Sequence, residues 1–375
     1  MTPEQIRDLF PITKRRAYLF SGGISPVSIP HDEAIGRHMR QLRENPGDFY
    51  MNKLNQDAEE CRTMFAHLMG CDQDEVSLVE NTSVGCNIAF DLIEIPMAGN
   101  VVFDQYSYPS SVLPWFLPAR AHIEKKFVRP REDGILYLED FKKSIDSDTV
   151  AVCISHVTQE QGFRNDLASL AEVAHDNGAV IIVDGAQSAG AMSIDLHETE
   201  VDFFSTTAMK WLLGAAGVGF LYTARRHHSK LSSHAGYRSV NLRSNREFDW
   251  KIGARKFEIG MPNLLGLTMS RVGLKILAEA NMKTIENHNL DLSGYCIEQM
   301  NTLGLNVITS KLDHLRMGIV AVQYERSQDL WQFLFNIGID TWCHDSLFRA
   351  DPHVFNNRDD IDRLLDGVRQ FLRST

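Results

Sequence analysis

The 375-residue chain is 43% hydrophobic and 23% charged, enough to bury a large core and long enough for one large unit with a smaller one beside it. Its formal charge of −11 at pH 7, from 49 Asp and Glu against 38 Lys and Arg, argues against nucleic acid and anionic membrane surfaces as partners. The 6 cysteines are scattered without a C-x-x-C pair, which argues against a disulfide framework or structural zinc and for a reducing, cytoplasmic setting.

The opening residues mix both charges and carry no apolar run of the kind a leader peptide has. No apolar stretch approaches the length that spans a bilayer. From residue 76 onward, short apolar runs alternate with helical patterns. Strands are predicted over 76–79, 101–104, 150–154, 180–184, 203–205 and 217–222. Between them a helix is predicted over 165–176, with Leu167, Leu170, Ala171 and Ala174 on one face and Gly178 as its stop. Strands apolar on both faces imply a mostly parallel sheet covered by helices, an α/β architecture. After Gly260-Met-Pro262 the pattern changes to helices over 263–280 and 284–303, weaker strands over 305–308 and 318–323, and a last helix over 358–372. The expectation is a large α/β domain over 19–261 and a smaller α+β domain over 262–375, with residues 1–18 packing on the second.

Three loops at strand ends hold the chemistry, because ligands of parallel sheets collect at the carboxyl edge. The first, Glu80-Asn-Thr82-Ser83-Val-Gly85, opens a helix; free N–H groups there suit a phosphate, although a Thr82 or Ser83 in that place is usually only a cap. The second is Val183-Asp184-Gly-Ala-Gln187. An acid ending an apolar strand needs a partner, which leaves an N-cap, a metal ligand or the partner of a protonated ring nitrogen open. The third, Thr206-Thr207-Ala-Met209-Lys210-Trp211, puts a lysine in a run with no other charge from Phe203 to Tyr222. Burial there disfavours the ammonium and makes a nucleophilic amine. The glycines that follow, Gly214-Ala-Ala-Gly217-Val-Gly219, precede a strand and do not form the dinucleotide fingerprint of a Rossmann protein.

Asp184-Gly-Ala-Gln187, followed by Lys210-Trp-Leu-Leu-Gly214-Ala-Ala-Gly217-Val-Gly219-Phe-Leu-Tyr222, resembles the class V aminotransferase family. That family includes cysteine desulfurases, selenocysteine lyases and isopenicillin-N epimerase-like enzymes, and the likeness runs from about Tyr18 onward. It implies a fold-type I enzyme of pyridoxal 5'-phosphate (PLP), a homodimer with the active site at the subunit interface, and a small amino-acid substrate. By position, Lys210 resembles the Schiff-base lysine, Asp184 the acid on the ring nitrogen and Gln187 the donor to the ring oxygen. Thr82, Ser83 and Thr207 fall where the family holds the phosphate, and Tyr108 where a ring stacks on the cofactor; without the resemblance Tyr108 reads equally as a core tyrosine. Arg349 resembles the clamp on the substrate carboxylate, a task that suits a bidentate guanidinium.

Departures from the family pattern fall around the cofactor. Met209 stands where a histidine is common, Gln159 where an asparagine covers the cofactor, and Met261 where a hydroxyl serves the partner's phosphate. Cys343 lies shortly before Arg349, where desulfurases carry a nucleophilic thiol, but without a glycine-rich loop around it. His227-His228 reads as a solvated turn, and no metal site is expected. The implied reaction is amino transfer or elimination at Cβ of the C–S lyase type. The alternatives are a desulfurase using Cys343 and a non-catalytic PLP-fold binding module.

Overall fold

The computed structural model describes residues 1–244 and 247–374. Its centre is a seven-stranded sheet. The strands are β1 (Val76–Val79), β2 (Asn100–Asp104), β3 (Glu124–Val128), β4 (Thr149–Ser155), β5 (Val180–Asp184), β6 (Phe203–Thr207) and β7 (Gly219–Thr223). Their spatial order is β1-β7-β6-β5-β4-β2-β3, and β7 alone runs antiparallel to its neighbours. Side chains alternate between two dry faces. Val102, Val152, Ile181, Val183, Phe204 and Phe220 enter one buried cluster, while Val101, Phe103, Cys153, Ile182, Phe203 and Leu221 enter another. That double burial is why the middle strands read as unbroken apolar runs.

The six predicted strands of the sheet stand, three of them longer by a residue or two. The strand over 203–205 continues through Thr206 and Thr207, which the sequence placed in a loop, and the one over 217–222 begins at Gly219. Within the central sheet one strand escaped the sequence reading: β3, which pairs with β2 alone and carries Glu124, Lys125 and Lys126. Charge on an outer strand blunts edge-to-edge pairing and hides the strand from an apolar count.

Five helices matter for the site. They are α1 (Ile29–Glu44), α2 (Leu54–Leu68), α3 (Thr82–Asp91), α4 (Leu167–Asp176) and α5 (Leu264–Ala280). α3 starts where the first loop predicted, with Oδ1 of Asn81 accepting from the N–H of Val84 at 3.0 Å. α4 ends at Gly178, whose φ of +78° is the left-handed stop expected there. α1 was not predicted, because its buried residues are His31, Ala34 and His38 rather than an apolar stripe.

Beyond α5, α6 (Met282–Thr302), α7 (Ser327–Asn336) and α8 (Arg358–Arg373) pack on a four-stranded antiparallel sheet. Its strands β8 (Asn306–Val307), β9 (Val320–Gln323), β10 (Trp342–His344) and β11 (Leu347–Ala350) lie in the order β8-β9-β11-β10. This sheet closes a separate buried cluster that includes Leu292, Val320, Leu334, Phe348 and Leu364. The N-terminal segment joins it: Ala17 pairs in parallel with Ile339, and Arg7 and Arg16 meet Asp360 and Asp340, each at 2.6 Å.

The expectation of a solvated His227-His228 turn is corrected. His227 is buried, and Asp202 gathers it at 2.5 Å together with Arg226 at 2.6 Å and His175 at 2.9 Å. These partners hold the Asp202 carboxyl far below its ordinary range against the opposing cost of burial.

Candidate active site

The carboxyl ends of β1, β4, β5 and β6 open into one cavity. Asn81, Thr82, Ser83, Tyr108, Ser110, Ser155, Val157, Gln159, Asp184, Ala186, Gln187, Thr207, Met209 and Lys210 line it. All the residues predicted to hold a cofactor are therefore neighbours, brought from segments more than a hundred residues apart by the parallel sheet. A larger cleft of about 830 Å³ lies along 135–141, α4 and residues 312–315. Its buried histidine, His156, is pushed down to about 3 by burial.

Lys210 lines the cavity between Met209 and Trp211 of the chain. Burial pushes its ammonium down to about 8, with Asp184 and Asp351 opposing that shift and Arg349 adding to it. Its backbone is locked from three sides. Ser25 donates to the Lys210 carbonyl, the N–H of Leu213 reaches the same oxygen at 3.0 Å, and Nε2 of His353 lies 2.9 Å from the carbonyl of Trp211. Trp211 donates from Nε1 to Oε1 of Gln187 at 2.7 Å, and Gln187 donates to the carbonyl of Gly22 at 3.1 Å.

Asp184 supplies the opposite charge. Its Oδ1 accepts from the N–H of Ala186 at 2.9 Å, but its Oδ2 is buried without any partner. A carboxylate oxygen left unmet in a dry cavity is costly, and burial raises this carboxyl above its ordinary range. At the start of α3 the Thr82 hydroxyl is likewise buried and unmet, while Ser83 Oγ lies 2.6 Å from Ser110 Oγ. These orphans fit PLP: Oδ2 of Asp184 suits a protonated ring nitrogen, and Thr82 at a helix start suits a phosphate. Tyr108 borders the cavity half-exposed, with its N–H donating to Oγ of Ser155 at 3.3 Å.

The protein-family comparison matches the aminotransferase class-V model over residues 19–341. The chain belongs to the class V aminotransferase family. It is thereby a PLP-dependent enzyme of fold-type I. Among its relatives, the uncharacterized aminotransferase YcbU of Bacillus subtilis is 26% identical over 98% of this chain and 97% of its own. A probable cysteine desulfurase of Halalkalibacterium halodurans is 27% identical over 99% and 98%. In structure, a cysteine desulfurase from Thermococcus onnurineus superposes with a TM-score of 0.90 at 22% identity, covering 100% of this chain and 99% of that one. The cystine C-S lyase C-DES, solved with its product cysteine persulfide, gives 0.86 at 21%, covering 95% and 98%.

Within this class V chain, two residues singled out by sequence lie apart from the cavity wall. Arg349 sits on β11, nearly sealed from solvent, with its guanidinium against Asp351. Cys343 sits on β10 and donates from its thiol to Oε1 of Gln328 on α7 at 3.2 Å, and burial raises that thiol. Its neighbour Trp342 instead lays its ring 4.6 Å from the Arg349 guanidinium, as strand alternation requires. Ser110, Ser155 and Asp351 went unread, because a serine or aspartate near a strand end carries no pattern of its own.

Proposed function

We propose that this enzyme acts on the amine of a small amino acid, by elimination at Cβ of the C–S lyase type or by amino transfer. The carrying observation is the unmet Oδ2 of Asp184 in the same dry cavity as the depressed Lys210 amine. Bound PLP supplies a sink for the electrons of a bond broken at Cα. Each remaining task falls to a side chain of this protein. Lys210 offers the amine that condenses with the aldehyde, and once released it moves a proton at the substrate carbon. Oδ2 of Asp184 accepts a hydrogen bond from the protonated ring nitrogen and keeps it charged. Thr82, Ser83 and Thr207, with the free N–H groups opening α3, meet the phosphate. Gln187 and Gln159 supply amide contacts, Tyr108 an aromatic face, and Arg349 a cation beside the pocket.

The structural relative named a cystine C-S lyase supports elimination, YcbU supports amino transfer, and the probable cysteine desulfurase supports the desulfurase alternative. Cys343 has no part in this reading, since its thiol turns to Gln328. A non-catalytic binding module is disfavoured, because a scaffold needs neither the depressed amine nor the unmet carboxylate. The proposal also keeps the division at 261/262, with α5 packing Leu267, Leu274 and Leu277 back into the buried cluster of the central sheet, and a cytoplasmic homodimer. Exposed Ile252, Ile259 and Met261 offer apolar surface for a second copy.

The test is an amino-acid screen of the PLP-loaded protein. Elimination releases pyruvate and ammonia, with sulfide or persulfide from sulfur substrates. Amino transfer leaves the aminated cofactor and a keto acid. A loaded protein that yields neither product with any amino acid contradicts the proposal.

A further inference from the structure

Arg349 reads as a clamp for a substrate carboxylate, yet its guanidinium already holds a carboxylate of its own chain. Nη2 donates to Oδ2 of Asp351 at 2.9 Å, and Nε lies 2.8 Å from Oδ1. Nη1 donates to the carbonyl of Gln159. Neither side chain of the pair reaches solvent, with exposures of 1% for Arg349 and 0% for Asp351. Burial raises the Asp351 carboxyl and Arg349 draws it back; the Nη2–Oδ2 hydrogen bond fits the ionised pair, with Oδ1 close to Nε but not aligned for a second bond.

The pair is also fixed in place. The N–H of Asp351 donates to the carbonyl of Leu19 at 2.9 Å, and Oδ2 accepts from the N–H of Gly22 at 3.2 Å. Gly22 walls the pair so closely that a Cβ there would fall 2.7 Å from Oδ2 and 2.8 Å from Nη2. Arg349 keeps a second N–H proton on each of Nη1 and Nη2, on a cation whose charge is already balanced. The Arg349 charge is therefore met by Asp351 before an amino substrate arrives. A substrate carboxylate placed on the same guanidinium would set two buried anions on one cation. A substrate that is uncharged at that point meets no such opposition.

We propose that Asp351 is a specificity-determining residue: by occupying Arg349 it lets the site take primary amines without a free α-carboxylate at least as well as the matching α-amino acids. This rests on the reading of the Lys210 cavity as an amine-binding site and defines the substrate class of that site.

Spectral titration of the PLP-loaded protein tests it, with ethylamine against L-alanine and ethanolamine against L-serine. The wild type is expected to bind each amine with a Kd equal to or below that of its amino acid. Asp351→Asn, and independently Asp351→Ser, should shift the ratio at least tenfold toward the amino acid, because each frees the guanidinium. A wild type that favours the amino acids tenfold or more overturns the proposal, even if neither variant folds. So does a variant whose preference for the amino acid falls, which would make Asp351 a positioning residue for the clamp. A loaded protein whose band answers to none of these ligands overturns this inference while the cofactor site stands. A protein that takes up no PLP overturns the proposed function, and this inference with it.

Discussion

Two side chains at neighbouring strand ends, Lys210 and Asp184, set the chemistry of the cavity. Burial pushes the lysine down to about 8 from its ordinary value of 10.5, so the neutral amine becomes the main form above that pH. The apo-protein should therefore capture PLP at a rate that rises with pH about a midpoint near 8, followed by stopped-flow absorbance. A midpoint near 10 would contradict the burial of the amine. Asp184→Asn removes the charge that keeps the ring nitrogen protonated while preserving shape. Activity should fall by about a hundredfold or more, the scale of losing one preorganised electrostatic contact, while bound cofactor stays detectable by its absorbance. Activity within about threefold of wild type would remove Asp184 from the mechanism.

The strands that carry these residues depend on close approach between β6 and β7. A Cβ on Gly219 would fall 2.4 Å from the carbonyl of Thr206 and 3.1 Å from Cα of Asn81. Both contacts are backbone, so Gly219→Ala must part β7 from its neighbours beside the phosphate loop. It should cost about 1–3 kcal/mol by denaturant unfolding and weaken PLP affinity together; unchanged stability would contradict the contact. Legibility in the sequence followed the same physics. Strands buried on two faces spell themselves in Val, Ile and Phe, so the order of motifs around Asp184 and Lys210 could be read in advance. β3, with its charges, and α1, with His31 and His38 on its buried face, could not. Arg349 was legible as a cation before the last helix, but its engagement by Asp351 was not. Two residues apart on an extended strand end share a face, yet nothing in sequence tells whether they meet each other or a ligand.

At the scale of the whole molecule, the parallel sheet gathers distant segments into one cavity, while the small antiparallel sheet brings Arg349 and Trp342 up behind it. Exposed Ile252, Ile259 and Met261 lead us to expect a dimer at micromolar concentration in sedimentation velocity. A monomer throughout would remove the partner subunit from the site. The central claim is that the Lys210 amine carries the cofactor, and borohydride reduction of the PLP-loaded protein followed by peptide mass mapping tests it most directly. The account predicts a stable pyridoxyl adduct on Lys210, lost in Lys210→Ala; an adduct on another lysine, or none, would contradict it.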